Sequence, residues 1–77
     1  MKTYVAMDVR INAAGDMVPL RLYWEDGRRF EVQSVLDVRR AASLKAGGTG
    51  LRYTCLMNGK VVYLFFEDPR WFVDSEK

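Results

Sequence analysis

Two pairs of adjacent carboxylates are the residues best suited to acid–base chemistry or cation binding, and they are Glu25–Asp26 and Glu67–Asp68. Both pairs fall in predicted turns, where solvated carboxylates are common, so a structural role is favoured. The chain contains no histidine, which removes the usual general base at neutral pH and the commonest metal ligand. Its single cysteine, Cys55, cannot supply a zinc site. The sequence therefore predicts a protein that is not an enzyme, with no catalytic residue, metal or cofactor.

Cys55 and Ser43 are the two side chains that could act as nucleophiles. Cys55 falls in the middle of an apolar predicted strand, facing Val62, which indicates a buried structural cysteine. Ser43 stands two residues before Lys45, a spacing that suits a serine with a lysine base, but no residue orients the pair or supplies an oxyanion site. Neither side chain is predicted to react.

A glycine-rich loop at residues 46–50 lies between Lys45 and Arg52. Its backbone amides and the two flanking cations could together hold a phosphate. The spacing of glycine, lysine and hydroxyl differs from that of a Walker loop. The favoured interpretation is structural, because the glycines let the connection turn sharply into a strand at Leu51.

The cations are unevenly distributed, although the net charge is only +2. No acid lies between Asp37 and Glu67, so this interval is basic throughout. Cations hold phosphates and aromatic faces stack on unpaired bases, so nucleic acid is a candidate partner alongside protein. The cations of this constellation are Arg28, Arg29, Arg39, Arg40, Lys45 and Arg52. The aromatic residues considered for stacking, several of which must instead fill the core, are Tyr23, Tyr53, Trp71 and Phe72. The predicted partner or nucleic-acid surface consists of Arg39, Arg40, Lys45, Gly47, Gly48 and Arg52.

The length of 77 residues predicts a single domain spanning residues 1–77. A hydrophobic content of 49% argues against disorder. The longest apolar run, Val61–Phe66, is much shorter than the ~20 residues of a membrane helix, so no membrane partner is expected. One cysteine and an N-terminus without signal-peptide character make a cytoplasmic location the expectation.

Apolar residues alternate with polar ones along most of the chain, which is typical of strands with one buried face. The first such strand is predicted over Thr3–Ile11. For the next hairpin, a three-residue loop with Gly27 in a left-handed bulge sets Leu22 opposite Phe30. This register is favoured because it pairs apolar with apolar.

The Asn58–Gly59 dipeptide predicts a second hairpin with a tight two-residue turn. It joins strands over Leu51–Met57 and Lys60–Glu67. In this register Cys55 stands opposite Val62, again with apolar residues on a shared face.

The segment between residues 34 and 47 has two interpretations. It continues as a strand to about Val38, or it forms a helix that begins at Ser34 and ends at Gly47. The strand is favoured because alternation continues unbroken from Phe30. The predicted fold is all-β, a small antiparallel barrel or strongly bent sheet of five to six strands, SH3-like, with a short helix around residues 35–46 as the variant. A five-stranded oligonucleotide-binding barrel is the nearest alternative.

Several strings of the sequence resemble those of a family of small uncharacterised bacterial proteins. In order, they are Trp24–Arg28, Val35–Arg39, Ala41–Gly48, Arg52–Thr54 and Arg70–Val73. The resemblance covers most of the chain from about Val18 onward. It implies no activity, cofactor or substrate, so it assigns no functional residue.

The function that these observations favour is a binding or adaptor module that engages a protein partner or a second copy of itself. Such a module needs an open strand edge or an exposed apolar patch, and the residues expected on the face opposite Cys55 are Leu56, Val61, Tyr63 and Phe65. The alternative is a nucleic-acid-binding small β-barrel. An enzyme would need a pocket that gathers two or more of Asp26, Asp37, Glu67, Lys45 and Arg52.

Overall fold

The computed structural model describes residues 2–42 and 49–74, which form one antiparallel sheet of seven strands. The strands are β1 (Lys2–Ile11), β2 (Met17–Tyr23), β3 (Arg29–Glu31), β4 (Ser34–Ala42), β5 (Thr49–Met57), β6 (Lys60–Glu67) and β7 (Arg70–Asp74). Their order across the sheet is β3-β2-β1-β7-β6-β5-β4. The prediction of a small all-β domain is confirmed, but the strands number seven rather than five or six. The described residues include no helix long and apolar enough to cross a membrane.

The inner face of the sheet carries the hydrophobic core, as the alternation predicts. In β5 the inward side chains Tyr53, Cys55 and Met57 are all buried. They meet inward residues of the neighbouring β6, with Tyr53 opposite Leu64 and Cys55 opposite Val62. The remaining buried members of this cluster are Leu22 and Trp71.

Both predicted hairpin registers are confirmed. Leu22 pairs with Phe30, and Gly27 has a φ of 92°, the left-handed conformation of the predicted bulge. In the second hairpin Asn58 and Gly59 have φ values of 53° and 74°, as a tight turn with two left-handed residues requires.

The chain changes partner strands sharply at Val32 and Gln33. The Val32 N–H donates to the carbonyl of Leu20 in β2 at 3.0 Å, and the Gln33 N–H donates to the carbonyl of Leu56 in β5 at 2.8 Å. These two bonds connect opposite ends of the sheet and curl it into a half-barrel. The bend also explains the extra strand, because it divides the predicted single run from Phe30 into β3 and β4.

The predicted helix variant around residues 35–46 is wrong for the part that the structure describes. Ser34–Ala42 is a continuous strand paired with β5, with a β-bulge between Val35 and Asp37. A strand satisfies the backbone here because β5 offers a partner along the whole length. Residues 43–48 lie outside the described residues.

β1 changes neighbours along its length. Residues 2–5 pair with β7, and residues 6–11 pair with β2. The first strand of the chain therefore lies in the interior of the sheet, with Lys2 opposite Asp74.

The outer face of the sheet, opposite the core, buries an aromatic pair of its own. Phe65 and Phe72 are cross-strand partners whose ring centroids lie 5.0 Å apart, and they are 6% and 1% exposed. The Tyr4 ring packs edge-on against Phe72 at 5.8 Å. The Lys2 Nζ lies 5.0 Å from the Phe72 ring centroid and forms an ion pair with Glu67 at 3.1 Å. A second apolar layer therefore stabilises the junction of β6, β7 and β1.

Candidate binding edge and groove

Within the described residues no strand pairs with the second edge of β4, because β4 is the last strand in the sheet order. All of its nine residues except the bulged Leu36 pair with β5 on the other side. The side chains of Leu36, Val38, Arg39 and Arg40 are exposed, so this edge is open to solvent. A row of unpaired backbone N–H and C=O groups is a template for pairing with another chain. We call this feature the free edge of β4.

At the other end of the sheet, β3 presents a much shorter edge for pairing with another chain. β3 has only three residues, and two of them, Arg29 and Glu31, are charged and exposed. Short, charged strands are how proteins blunt an edge against pairing. The Gln33 side chain next to β3 accepts a hydrogen bond from the Gly59 N–H at 2.9 Å.

A groove of about 670 Å³ separates the free edge of β4 from the start of β2. It exists because the half-barrel closes only at Val32 and Gln33, so the two strands diverge beyond that point. We call it the seam groove, and its lining is Asn12, Gly15, Asp16, Met17 and Val18 on the β2 side, Val35 and Val38 on the β4 side, and Leu51 and Tyr53 beneath.

The base of the seam groove is apolar, and one hydrogen bond crosses the groove from wall to wall. The Val38 side chain is 46% exposed, so much of its apolar surface is in contact with solvent. The Tyr53 hydroxyl donates to the carbonyl of Met17 at 3.1 Å and ties the two walls together. Burial, assisted by the charge of Asp16, raises the pKa of Tyr53, so this hydroxyl keeps its proton and its role as a donor.

Two of the predicted surface residues, Arg39 and Arg52, are cross-strand partners on the outer face. Arg39 is neutralised locally, since its Nε donates to Asp37 Oδ2 at 2.8 Å. The guanidinium of Arg52 lies 4.8 Å from the centroid of the Tyr63 ring, and its Nε is buried without a hydrogen-bond partner. Like charges opposite each other on adjacent strands repel, and Asp37 offsets only one of these two charges.

Arg40 lies beside this pair and alternates to the inner side of β4, where its register partner is Leu51. The structure thus gathers Arg39, Arg40 and Arg52 at the β4–β5 ladder. The remaining predicted surface residues, Lys45, Gly47 and Gly48, lie outside the described residues. Arg28 belongs to a different region, next to β3, where it pairs with Asp26 at 2.6 Å.

Most of the aromatic rings considered for base stacking are not available. Tyr53, Trp71 and Phe72 are buried in the two apolar layers. The Tyr23 hydroxyl is held by Asp8 at 2.7 Å. These rings fill the interior because so short a chain needs their surface for its core.

The apolar residues predicted on the outer face divide into two groups. Val61 and Tyr63 are exposed, as a docking patch requires, and Leu56 is half-buried. Phe65 was expected to be available but is buried, because β7 places Phe72 against it.

The candidate acid–base residues do not meet. Asp26 bonds to Arg28, Asp37 bonds to Arg39, and Glu67 accepts from Lys2 and the Tyr4 hydroxyl. Each carboxylate thus has its own local cation. Within residues 2–42 and 49–74, no three Cys, Asp or Glu side chains are grouped as a metal site would need.

The seam groove is the feature that the sequence alone did not indicate. Its walls come from the β1–β2 turn with the start of β2 and from β4, which are distant in sequence. The bulge at Leu36, which brings both Val35 and Val38 to the inner side, is visible only in the structure. Comparisons of the chain with protein families, with curated proteins and with solved structures found no match.

Proposed function

We propose that this chain is a non-enzymatic protein-binding module that takes up an extended segment of a partner protein along the free edge of β4. The observation that carries the proposal is a long, exposed strand edge beside an apolar groove. In strand addition, backbone hydrogen bonds supply affinity and pockets for alternate side chains supply specificity. On this proposal the sheet is a small SH3-like barrel opened between β2 and β4.

A single added strand suits the site better than a second copy of the chain. One wall of the seam groove is β4 and the other is the β1–β2 turn with the start of β2, so the occupant lies between them. The β4 strand of a second copy already pairs with β5 along its other edge, so it would bring that neighbour toward β2. A segment free on both edges brings no such neighbour.

Nucleic-acid binding is the second candidate, and one observation favours it. Arg52 stacks on Tyr63, which is 50% exposed, and Arg39 stands opposite Arg52. A cation beside an exposed ring can hold a phosphate and stack a base. Few rings are available to stack on bases, because three of the four predicted stacking residues, Tyr53, Trp71 and Phe72, are buried.

The test is selection of displayed random peptides on the immobilised full chain, followed by amide NMR of the labelled protein with a selected peptide. We expect shifts and slowed amide exchange along residues 36–42. Val38→Asp should abolish binding because it places a charge in the seam groove. Val61→Asp is the matched control, an exposed valine on the outer face of β6.

Three outcomes would contradict the proposal. Selected peptides could shift the amide signals of residues elsewhere and leave those of β4 unchanged. The β4 amides of the free protein could shift on dilution, which would assign the edge to a second copy. A short single-stranded oligonucleotide could shift the amide signals of Arg39 and Arg52 in a salt-sensitive manner while no peptide binds. That result would favour the second candidate.

A further inference from the structure

The chemistry of the partner segment follows from how a strand would lie against β4, so this inference rests on the proposed function. Side chains of successive strand residues point to opposite faces of the sheet. A strand added to the free edge therefore presents one set of side chains to the inner side, over the seam groove, and the other set to the outer face. Each set meets a different surface of this protein.

The inner set meets an apolar surface. Val35 and Val38 form the β4 wall of the seam groove, with Leu51 and Tyr53 beneath them. Apolar side chains of the partner would cover this surface and remove it from water. Asp16 on the opposite wall disfavours an acid among these inward positions.

The outer set meets a cationic surface. A side chain on the outer face of the added strand lies beside Arg39, with Arg52 one strand further in. Arg40 alternates to the inner side of β4, beside Leu51, and is not part of this surface. Asp37 is the acid paired within this group, through its bond to Arg39.

Asp37 offsets one of the two outer-face charges, so the group of Arg39, Arg52 and Asp37 keeps one net positive charge. Arg52 has a ring contact with Tyr63 but a buried Nε without a hydrogen-bond partner. Arg39 retains guanidinium N–H groups beyond the one that Asp37 accepts. A carboxylate beside Arg39 would form charge-assisted hydrogen bonds and offset the repulsion between the facing arginines.

We infer that the segment taken up by β4 alternates apolar and acidic residues, with its apolar side chains over the seam groove and its carboxylates beside Arg39 on the outer face. The partner is thus recognised by two patterns at once. The apolar row supplies most of the burial, and the acidic row sets the face and register in which the strand is added.

The test uses three short synthetic peptides that alternate valine with glutamate, serine or lysine, and measures their binding to the full chain by fluorescence anisotropy. We expect the glutamate peptide to bind best and the lysine peptide worst, about tenfold apart at low salt. An exposed ion pair contributes about 1.4- to 5-fold each, and replacing attraction by repulsion adds to it. The difference should shrink as salt rises.

Charge reversal identifies the residue responsible. Arg39→Glu should invert the order of the glutamate and lysine peptides. Arg28→Glu is the matched control, because Arg28 also pairs with a carboxylate two residues earlier but lies away from β4. It should leave the order unchanged.

The outcomes separate this inference from the proposed function. If all three peptides bind equally and still shift residues 36–42, strand addition stands and the acidic preference is wrong. If the preference for glutamate is the same in Arg39→Glu, the carboxylates bind elsewhere and the inference is wrong. If no peptide in the random selection reaches β4, the proposed function itself fails.

Discussion

Replacing Gly50 by alanine should destabilise the protein far more than its position as the second residue of β5 suggests. Gly50 has a φ of 146°, a conformation that side chains rarely adopt. A Cβ at this position would overlap the carbonyl oxygen of Phe66 in the neighbouring β6 strand. The substitution therefore strains the backbone and also forces β5 and β6 apart.

The two effects can be given magnitudes. Holding a residue with a side chain in such a backbone conformation costs about 1–3 kcal/mol. Overpacking costs about 1–3 kcal/mol more. The sum of about 2–6 kcal/mol is a large part of the ~4–12 kcal/mol expected for a domain of 77 residues. At about 4–8 °C per kcal/mol, the Tm should fall by at least about 8 °C.

The assay is urea unfolding followed by tryptophan fluorescence, in which the buried Trp71 reports on the core. Gly27→Ala is the matched control, because Gly27 also has a positive φ, of 92°, but a Cβ there would have no heavy atom within 4 Å. It carries the backbone cost alone. Equal losses of stability in the two variants would refute the close approach of Gly50 to β6.

Three further predictions concern the described ion pairs and the two apolar layers. Hydrogen bonds from Tyr4 and Lys2 lower the pKa of Glu67 from 4.5, so its stabilising contribution is present above about pH 4.5 and is lost as pH falls through the lower folded-state pKa. Thermal unfolding of Glu67→Gln should accordingly vary less with pH in the acid range than that of the unmodified protein, and equal slopes would contradict this. Phe72→Ala should cost about 3–5 kcal/mol in urea unfolding, although Phe72 lies on the outer face, because the ring is fully packed; a loss below about 1 kcal/mol would show that this layer is not structural. Burial raises the pKa of Cys55 to about 11, so a thiol reagent at neutral pH should modify it only as fast as the protein opens; rapid labelling without urea would contradict this.

The parts of the fold that the sequence predicted are those set by neighbouring strands. Pairing Leu22 with Phe30 and Cys55 with Val62 follows from the requirement that partners in a hairpin share a face. Turn residues such as Gly27 then fix the loop length. These are local constraints, so alternation and turn chemistry were sufficient to find them.

The parts that the sequence did not predict depend on strands that are distant in the chain. Alternation from Phe30 to Val38 looks the same whether the run keeps one partner or changes from β2 to β5 at Val32. Phe65 was expected to be exposed because its partner Phe72 could not be known before β7 was placed. The seam groove has the same origin, since its walls belong to the β1–β2 turn with the start of β2 and to β4.

The interior position of β1 has a consequence for synthesis. β1 and β2 can pair early, but the first half of β1 has no partner until β7 is made. At ~5–20 residues per second, translation of the intervening chain leaves that backbone unpaired for roughly 3–13 seconds. Such non-local pairing also slows folding. A nascent chain of this protein therefore passes through an interval in which its own first strand is an aggregation hazard, and chaperone contact with residues 2–5 should end when β7 emerges from the ribosome.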